Sequence, residues 1–247
     1  MQRQHDLIAA AFQFLTRIPV ATTGWEPDRL ARAARYFPLV GAAVGGASGF
    51  VFWMGAGLLP PMIAAGLAVL SGILLTGALH EDGLADTADA LGGHAGRARA
   101  LEIMRDSRIG TYGAVAIIAS IGLRWAALAS LAPVAGALAL IAASAGGRAL
   151  MVPVSRILCY ARTSGAGESV SDGARNGEIL LAALITCVAI APLGLVGVTA
   201  FLLAGLAGWV VLRGLARRLG GYTGDGLGAI EQVGETVMLI VIAASLS

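Results

Sequence analysis

The run His80-Glu81-Asp82-Gly83-Leu84-Ala85-Asp86-Thr87-Ala88-Asp89 places Asp82, Asp86 and Asp89 at a spacing of i, i+4, i+7. On a helix that spacing puts three carboxylates on one face. Like charges so arranged repel, and no arginine lies within the run to neutralise them. A divalent cation would. Oxygen donors without a cysteine or histidine cluster suit Mg²⁺, or Mn²⁺, shared with the phosphates of a substrate. The competing structural reading is a solvated acidic helix face. Against it, four of the chain's 15 acidic residues crowd into positions 81–89. His80 can act as a general base beside these carboxylates or cap a helix end. With Glu81, Asp82 and Asp86 it forms the candidate catalytic set.

A second stretch, from Glu102 to Gly113, carries Arg105 and Arg108 as i, i+3 neighbours. Their guanidiniums can grip phosphate oxygens, with Gly110 and Gly113 permitting close backbone approach and Thr111 beside them. The same pair can equally be an anchor at a membrane surface. Asp106 can join a metal site or pair with an arginine. A third stretch, Gly220-Gly221-Tyr222-Thr223-Gly224-Asp225-Gly226-Leu227-Gly228-Ala229, lacks the lysine of a Walker A loop. A glycine-rich loop feeding a helix N-terminus still suits an anion, which makes Thr223 and Gly224 candidates for substrate contact and Asp225 a fourth candidate metal ligand. An ordinary interhelix turn is the alternative. Glu231 and Glu235 follow at i, i+4, and either can orient a hydroxyl nucleophile. Tyr160-Ala161-Arg162, with Gly165 and Gly167, reads as a flexible loop or a lid carrying Arg162 to the substrate. No Ser/His/Asp or Cys/His arrangement stands out. Acids for a metal, arginines for phosphates and glycines for backbone approach fit phosphoryl transfer by direct displacement.

The elements that must position these residues are membrane helices. The 247 residues are 57% hydrophobic and 13% charged, too little charge to cover a soluble domain of this length. Apolar stretches near the length of a span run at about 38–59, 61–79, 112–132, 134–152, 178–195 and 196–212, with a shorter one at 229–246. The expected fold is therefore an all-α polytopic bundle, a single transmembrane catalytic domain over 1–247. It has six to seven spans in three hairpins, plus an N-terminal interfacial helix on which Leu7, Ala11, Phe12, Leu15 and Ile18 share one side and Asp6, Gln13 and Arg17 the other. The hairpins turn at Leu59-Pro60-Pro61, Ala132-Pro133 and Pro192-Leu193-Gly194, none of which contains a charge. Arginines fill the opposite connections: Arg29, Arg32 and Arg35; Arg97, Arg99, Arg105 and Arg108; Arg156, Arg162 and Arg175; Arg213, Arg217 and Arg218. The positive-inside rule assigns these segments to the cytoplasm, which brings every motif above to one face. Two arginines lie inside spans. Arg148 is near an end and can snorkel. Arg124 is deeper and must find a partner, as a structural ion pair or with substrate. Gly41, Gly45 and Gly49 form a stripe that lets two helices approach closely.

All 17 basic residues are arginine, which suits bidentate phosphate contact and is equally what a GC-rich genome produces. A net charge of +2 gives no basis for nucleic-acid binding. Cys159 and Cys187 belong to no cluster, so a structural zinc or disulfide framework is not expected.

HEDGLADTADALGG at 80–93 and EIMRDSRIGTYG at 102–113 closely resemble cobalamin synthase, the adenosylcobinamide-GDP ribazoletransferase family. FLTRIPV at 14–20, RYFPLVG at 35–41, YAR at 160–162 and GGYTGDGLGA at 220–229 follow in the family's order. The resemblance implies a Mg²⁺-dependent enzyme of the cell inner membrane that joins adenosylcobinamide-GDP to α-ribazole or its 5′-phosphate and releases GMP. Its partners would be those two substrates and membrane lipid, with homo-oligomerisation left open. Two other functions share some of these features. A CDP-alcohol phosphotransferase needs an arginine after Asp82-Gly83 that is missing here. A secondary transporter should carry its acids near the bilayer midplane, not at span ends.

Overall fold

A computed structural model of the chain describes residues 4–21, 28–93, 95–162 and 175–246. Gly165 and Gly167 lie outside the described residues. Among these residues every named element is helical, as the composition requires: α1 Gln4–Leu15, α2 Arg29–Ala33, α3 Phe37–Ala56, α4 Pro61–Thr76, α5 Leu79–Gly92, α6 Arg97–Ile103, α7 Thr111–Ala129, α8 Pro133–Met151, α9 Val154–Ile157, α10 Asn176–Ile190, α11 Gly194–Leu219 and α12 Gly224–Leu246. Five helical stretches are long and apolar enough to cross a membrane, or six if the bent pair α4–α5 counts as one. One of the five, Asn176–Leu219, folds back at Gly194, whose φ of +55° only glycine adopts without strain. Proline at the first turn of α4 and of α8 starts each helix straight out of the uncharged turn before it.

The opposite end of the bundle is stitched by arginines. Arg35 Nη2 binds Glu178 Oε1 at 2.9 Å, Arg97 donates to the Leu219 carbonyl at 2.7 Å, and Arg218 donates to Ala95 at 2.8 Å and Gly93 at 2.7 Å. The start of α3, the α5–α6 connection, the start of α10 and the end of α11 therefore share one end. Helix α1 packs there through Leu7, Ala10, Ala11 and Leu15, with Phe14 stacked on Phe37 at 5.8 Å. It stops before Ile18, which is exposed, and Arg17 turns back to donate its backbone N–H to Leu75.

The glycine stripe acts as expected. A Cβ on Gly41 or Gly45 would overlap the backbone carbonyls of Ser144 and Leu140 on α8, so α3 and α8 touch backbone to backbone. Two features differ from the sequence reading. First, the stretch 61–79 does not run on as one span. Gly77 and Ala78 both take left-handed conformations, φ +67° and +59°, closing α4 with two returning N–H bonds, Ala78 to Ile73 and Gly77 to Leu74. The following α5 leaves at 89° to α4 and crosses the charged end of the bundle. Second, the last helix is the full 23-residue α12, starting at Gly224 rather than near 229, and it is the most enclosed of the candidate spans. The uncharged stretch after Glu235 is short for a span by itself; the charges of Glu231 and Glu235 are met inside the bundle.

Candidate active site

Helix α5 has two chemically different faces, and α12 crosses it at Gly83. A Cβ on Gly83 would lie 2.7 Å from the Asp225 carbonyl oxygen and 3.2 Å from Gly228 Cα. Glycine on both helices thus lets the first turn of α12 sit directly against α5. That contact brings Asp225 to Asp82 and Asp86, although some 140 positions separate them in sequence. The three carboxylates line one cleft of about 380 Å³, whose other wall is Met104, Arg105, Asp106, Ser107, Arg108 and Ile109, with Ile117 from α7.

Six of the twelve candidate site residues converge here: Asp82, Asp86, Arg105, Arg108, Arg162 and Asp225. Asp82 is exposed to the cleft, and Asp86 is half-buried. Burial, then the Asp225 and Asp82 carboxylates, push the Asp86 carboxyl up to about 7. Arg105 faces the cleft with no ion-pair partner among the described residues. Arg108 is closed on its neighbour Asp106, Nη2 to Oδ2 at 2.6 Å, and the pair holds Asp106 down at about 2. Arg162 donates to Asp225 Oδ2 at 2.7 Å and to the Met104 carbonyl at 3.2 Å.

Other selected residues have different surroundings. Asp89 takes the backbone N–H of Gly110 at 2.7 Å and of Gly113 at 2.9 Å, and so seats its charge at the N-terminus of α7. Both glycines are needed there because a side chain would displace that carboxylate. Thr111 is exposed beside it. Thr223 is fully buried, its hydroxyl accepting the Gly226 N–H at 3.0 Å as a cap for α12, and Gly224 is the first residue of that helix.

His80 and Glu81 occupy the enclosed face of α5. Glu81 binds Arg124 at 3.0 Å, and Arg124 also binds Glu235 at 3.2 Å. Arg148 binds Glu231 at 2.7 Å and Glu235 at 3.7 Å, while Ser144 donates to Glu235 at 3.0 Å. Burial and the nearby Arg148 and Arg124 guanidiniums hold the His80 imidazole well below its ordinary range, so its 3.9 Å approach to Glu231 is not an ion pair. Arg148 does not snorkel; it is 2% exposed. This network ties α5, α7, α8 and α12 together directly behind the cleft. Its existence was signalled by two arginines inside spans, but its membership was not, since Ser144 and Ser120, with Gln232, carry no pattern of their own.

Among the described residues no three His, Cys, Asp or Glu side chains converge as a ready-made metal cage. Mg²⁺ does not require one. It keeps several waters and is held through one or two carboxylates together with substrate phosphates. Asp82 and Asp225, hard oxygen donors on facing helices of an acidic cleft, fit that mode.

The cobalamin-5-phosphate synthase family profile matches residues 7–243. The chain belongs to this family. It is 46% identical to the adenosylcobinamide-GDP ribazoletransferase of Bradyrhizobium diazoefficiens, covering 97% of this chain and 93% of that protein. It is 43% identical to the protein of the same name from Leptothrix cholodnii, over 93% and 91% of the two chains, and 44% identical to that of Azorhizobium caulinodans, over 94% and 93%. No solved structure matches the chain. The family match spans α1 to α12, so the cleft and the buried network behind it both fall within the shared length.

Proposed function

We propose that this chain is an adenosylcobinamide-GDP ribazoletransferase, joining adenosylcobinamide-GDP to α-ribazole or its 5′-phosphate with release of GMP at the charged end of the bundle. The observation that carries the reading is the cleft itself: Asp82, Asp86 and Asp225 from two facing helices opposite Arg105 and Arg108, in a chain of this family. The charged end faces the cytoplasm by the arginine bias of its connections, and the membrane is the inner membrane of the cell.

Asp82 and Asp225 are the residues that would hold Mg²⁺. Bound there, the cation would supply positive charge against the pyrophosphate and favour GMP as leaving group. Arg105 holds phosphate oxygens, with Arg108 once it exchanges its fork from Asp106. The ribazole hydroxyl attacks the phosphorus attached to cobinamide, and the bond from that phosphorus to the GMP oxygen breaks. An Asp86 carboxylate oxygen accepts the hydroxyl proton, because His80 is enclosed on the other side of α5. Asp89 acts on the site indirectly, fixing the start of α7 against α5.

Purified protein in liposomes, given adenosylcobinamide-GDP and α-ribazole 5′-phosphate, is expected to form the corrinoid product and GMP in equal amounts and only with Mg²⁺. Folded protein that forms neither, with Mg²⁺ present, contradicts the reading.

A further inference from the structure

Arg162 is placed by the backbone. Tyr160 and Tyr222 form a parallel bridge, with Ala161 N–H bonded to the Tyr222 carbonyl at 2.8 Å and Tyr222 N–H to the Cys159 carbonyl at 3.0 Å. Gly221 permits this pairing, since any side chain there would meet Cys159. The register delivers Arg162 to the first turn of α12, where it binds Asp225 in a pair whose side chains are only 11% and 22% exposed. Among the described residues it is the one cation bonded to Asp82, Asp86 or Asp225.

We propose that Arg162 is the internal counter-ion of Asp225 in the free protein, competes with the divalent cation for that carboxylate, and moves to a substrate phosphate oxygen when the cation binds. The inference rests on the metal role given to Asp225 above. Two positive charges on one half-buried carboxylate repel strongly in a medium less polar than water. A planar guanidinium fits a phosphate as well as a carboxylate, so Arg162 has a second partner available once substrate is present. The coupling is reciprocal: without phosphate, Arg162 weakens cation binding, and a phosphate that takes Arg162 strengthens it. The free protein thereby binds the cation about tenfold less tightly than it would without Arg162, until substrate arrives.

The test is Mn²⁺ binding to the purified, substrate-free protein, followed by the loss of the free-ion electron paramagnetic resonance signal. Wild type is compared with Arg162→Gln, Arg162→Lys and Asp225→Asn, each checked for wild-type helicity and elution. The expected result is binding about tenfold tighter in Arg162→Gln, roughly twofold tighter in Arg162→Lys, and weaker in Asp225→Asn. Equal or weaker binding in Arg162→Gln, with Mn²⁺ still bound by wild type, overturns the exchange and leaves the metal reading standing. No Mn²⁺ binding by wild type or Arg162→Gln overturns both. If Arg162→Gln does not fold, Arg162→Lys decides, because loosening its fork must still tighten Mn²⁺ measurably over wild type.

Discussion

Asp86 sits between two other carboxylates, and that crowding has a measurable sign. Its carboxyl is raised from 3.8 to about 7 in the folded protein. The folded state therefore holds this proton more tightly than the unfolded chain does. The stabilisation is fully present below pH 3.8 and is lost as pH rises through about 7. Metal-free protein is expected to melt at a lower temperature at about pH 8 than at about pH 5, and Asp86→Asn should flatten that difference. A slope unchanged in Asp86→Asn would mean that Asp86 is not the group responsible. The acidic spacing made Asp82 and Asp86 legible from sequence. It also suggested that Asp89 shares their role, because i, i+7 is the same helix face. Spacing alone could not reveal that Gly110 and Gly113 would fold back to take Asp89's oxygens.

At the scale of elements, the cleft depends on how closely α5 and α12 approach. Gly83→Val would drive side-chain atoms into the Asp225 backbone and separate Asp82 from Asp225. Overpacking of this kind costs about 1–3 kcal/mol, so the bundle should survive while product formation falls by about tenfold or more. Melting temperature and turnover measured on the same preparation check this; turnover at the wild-type level contradicts the crossing as the source of the site. The α4–α5 corner is the other determinant. Without the paired left-handed Gly77 and Ala78, α5 would continue along α4 and take its carboxylates away from α12. Most helices were readable from hydrophobic length and proline position. This corner was not, because alanine gives no sign of a left-handed backbone, a conformation that costs it about 1–2 kcal/mol.

Across the whole molecule, the buried network sets where the charged end stands relative to the spans. Arg124→Gln leaves Glu81 without its cation and Glu235 with Arg148 alone in the bundle interior, and is expected to destabilise the protein by about 3–5 kcal/mol. The double change Arg124→Gln with Glu81→Gln should recover part of that loss, because one orphaned carboxylate is removed along with its partner. Unfolding in detergent measures both; additive losses would show that Glu81 and Arg124 are not coupled. The bundle class, the single charged end and the need for an intramembrane partner for Arg124 were all legible from composition and arginine placement. The central position of α12 was not, since Glu231 and Glu235 lower its apparent apolarity and it takes Arg124, Arg148 and Ser144 on other helices to make it tolerable. One acidic cleft at this end is proposed to perform the transfer. The most direct test is GMP release from adenosylcobinamide-GDP and α-ribazole 5′-phosphate by Asp82→Asn beside wild type, at saturating Mg²⁺. A loss of at least about a hundredfold is expected, with melting temperature unchanged; wild-type release by Asp82→Asn would mean that the cleft does not perform the transfer.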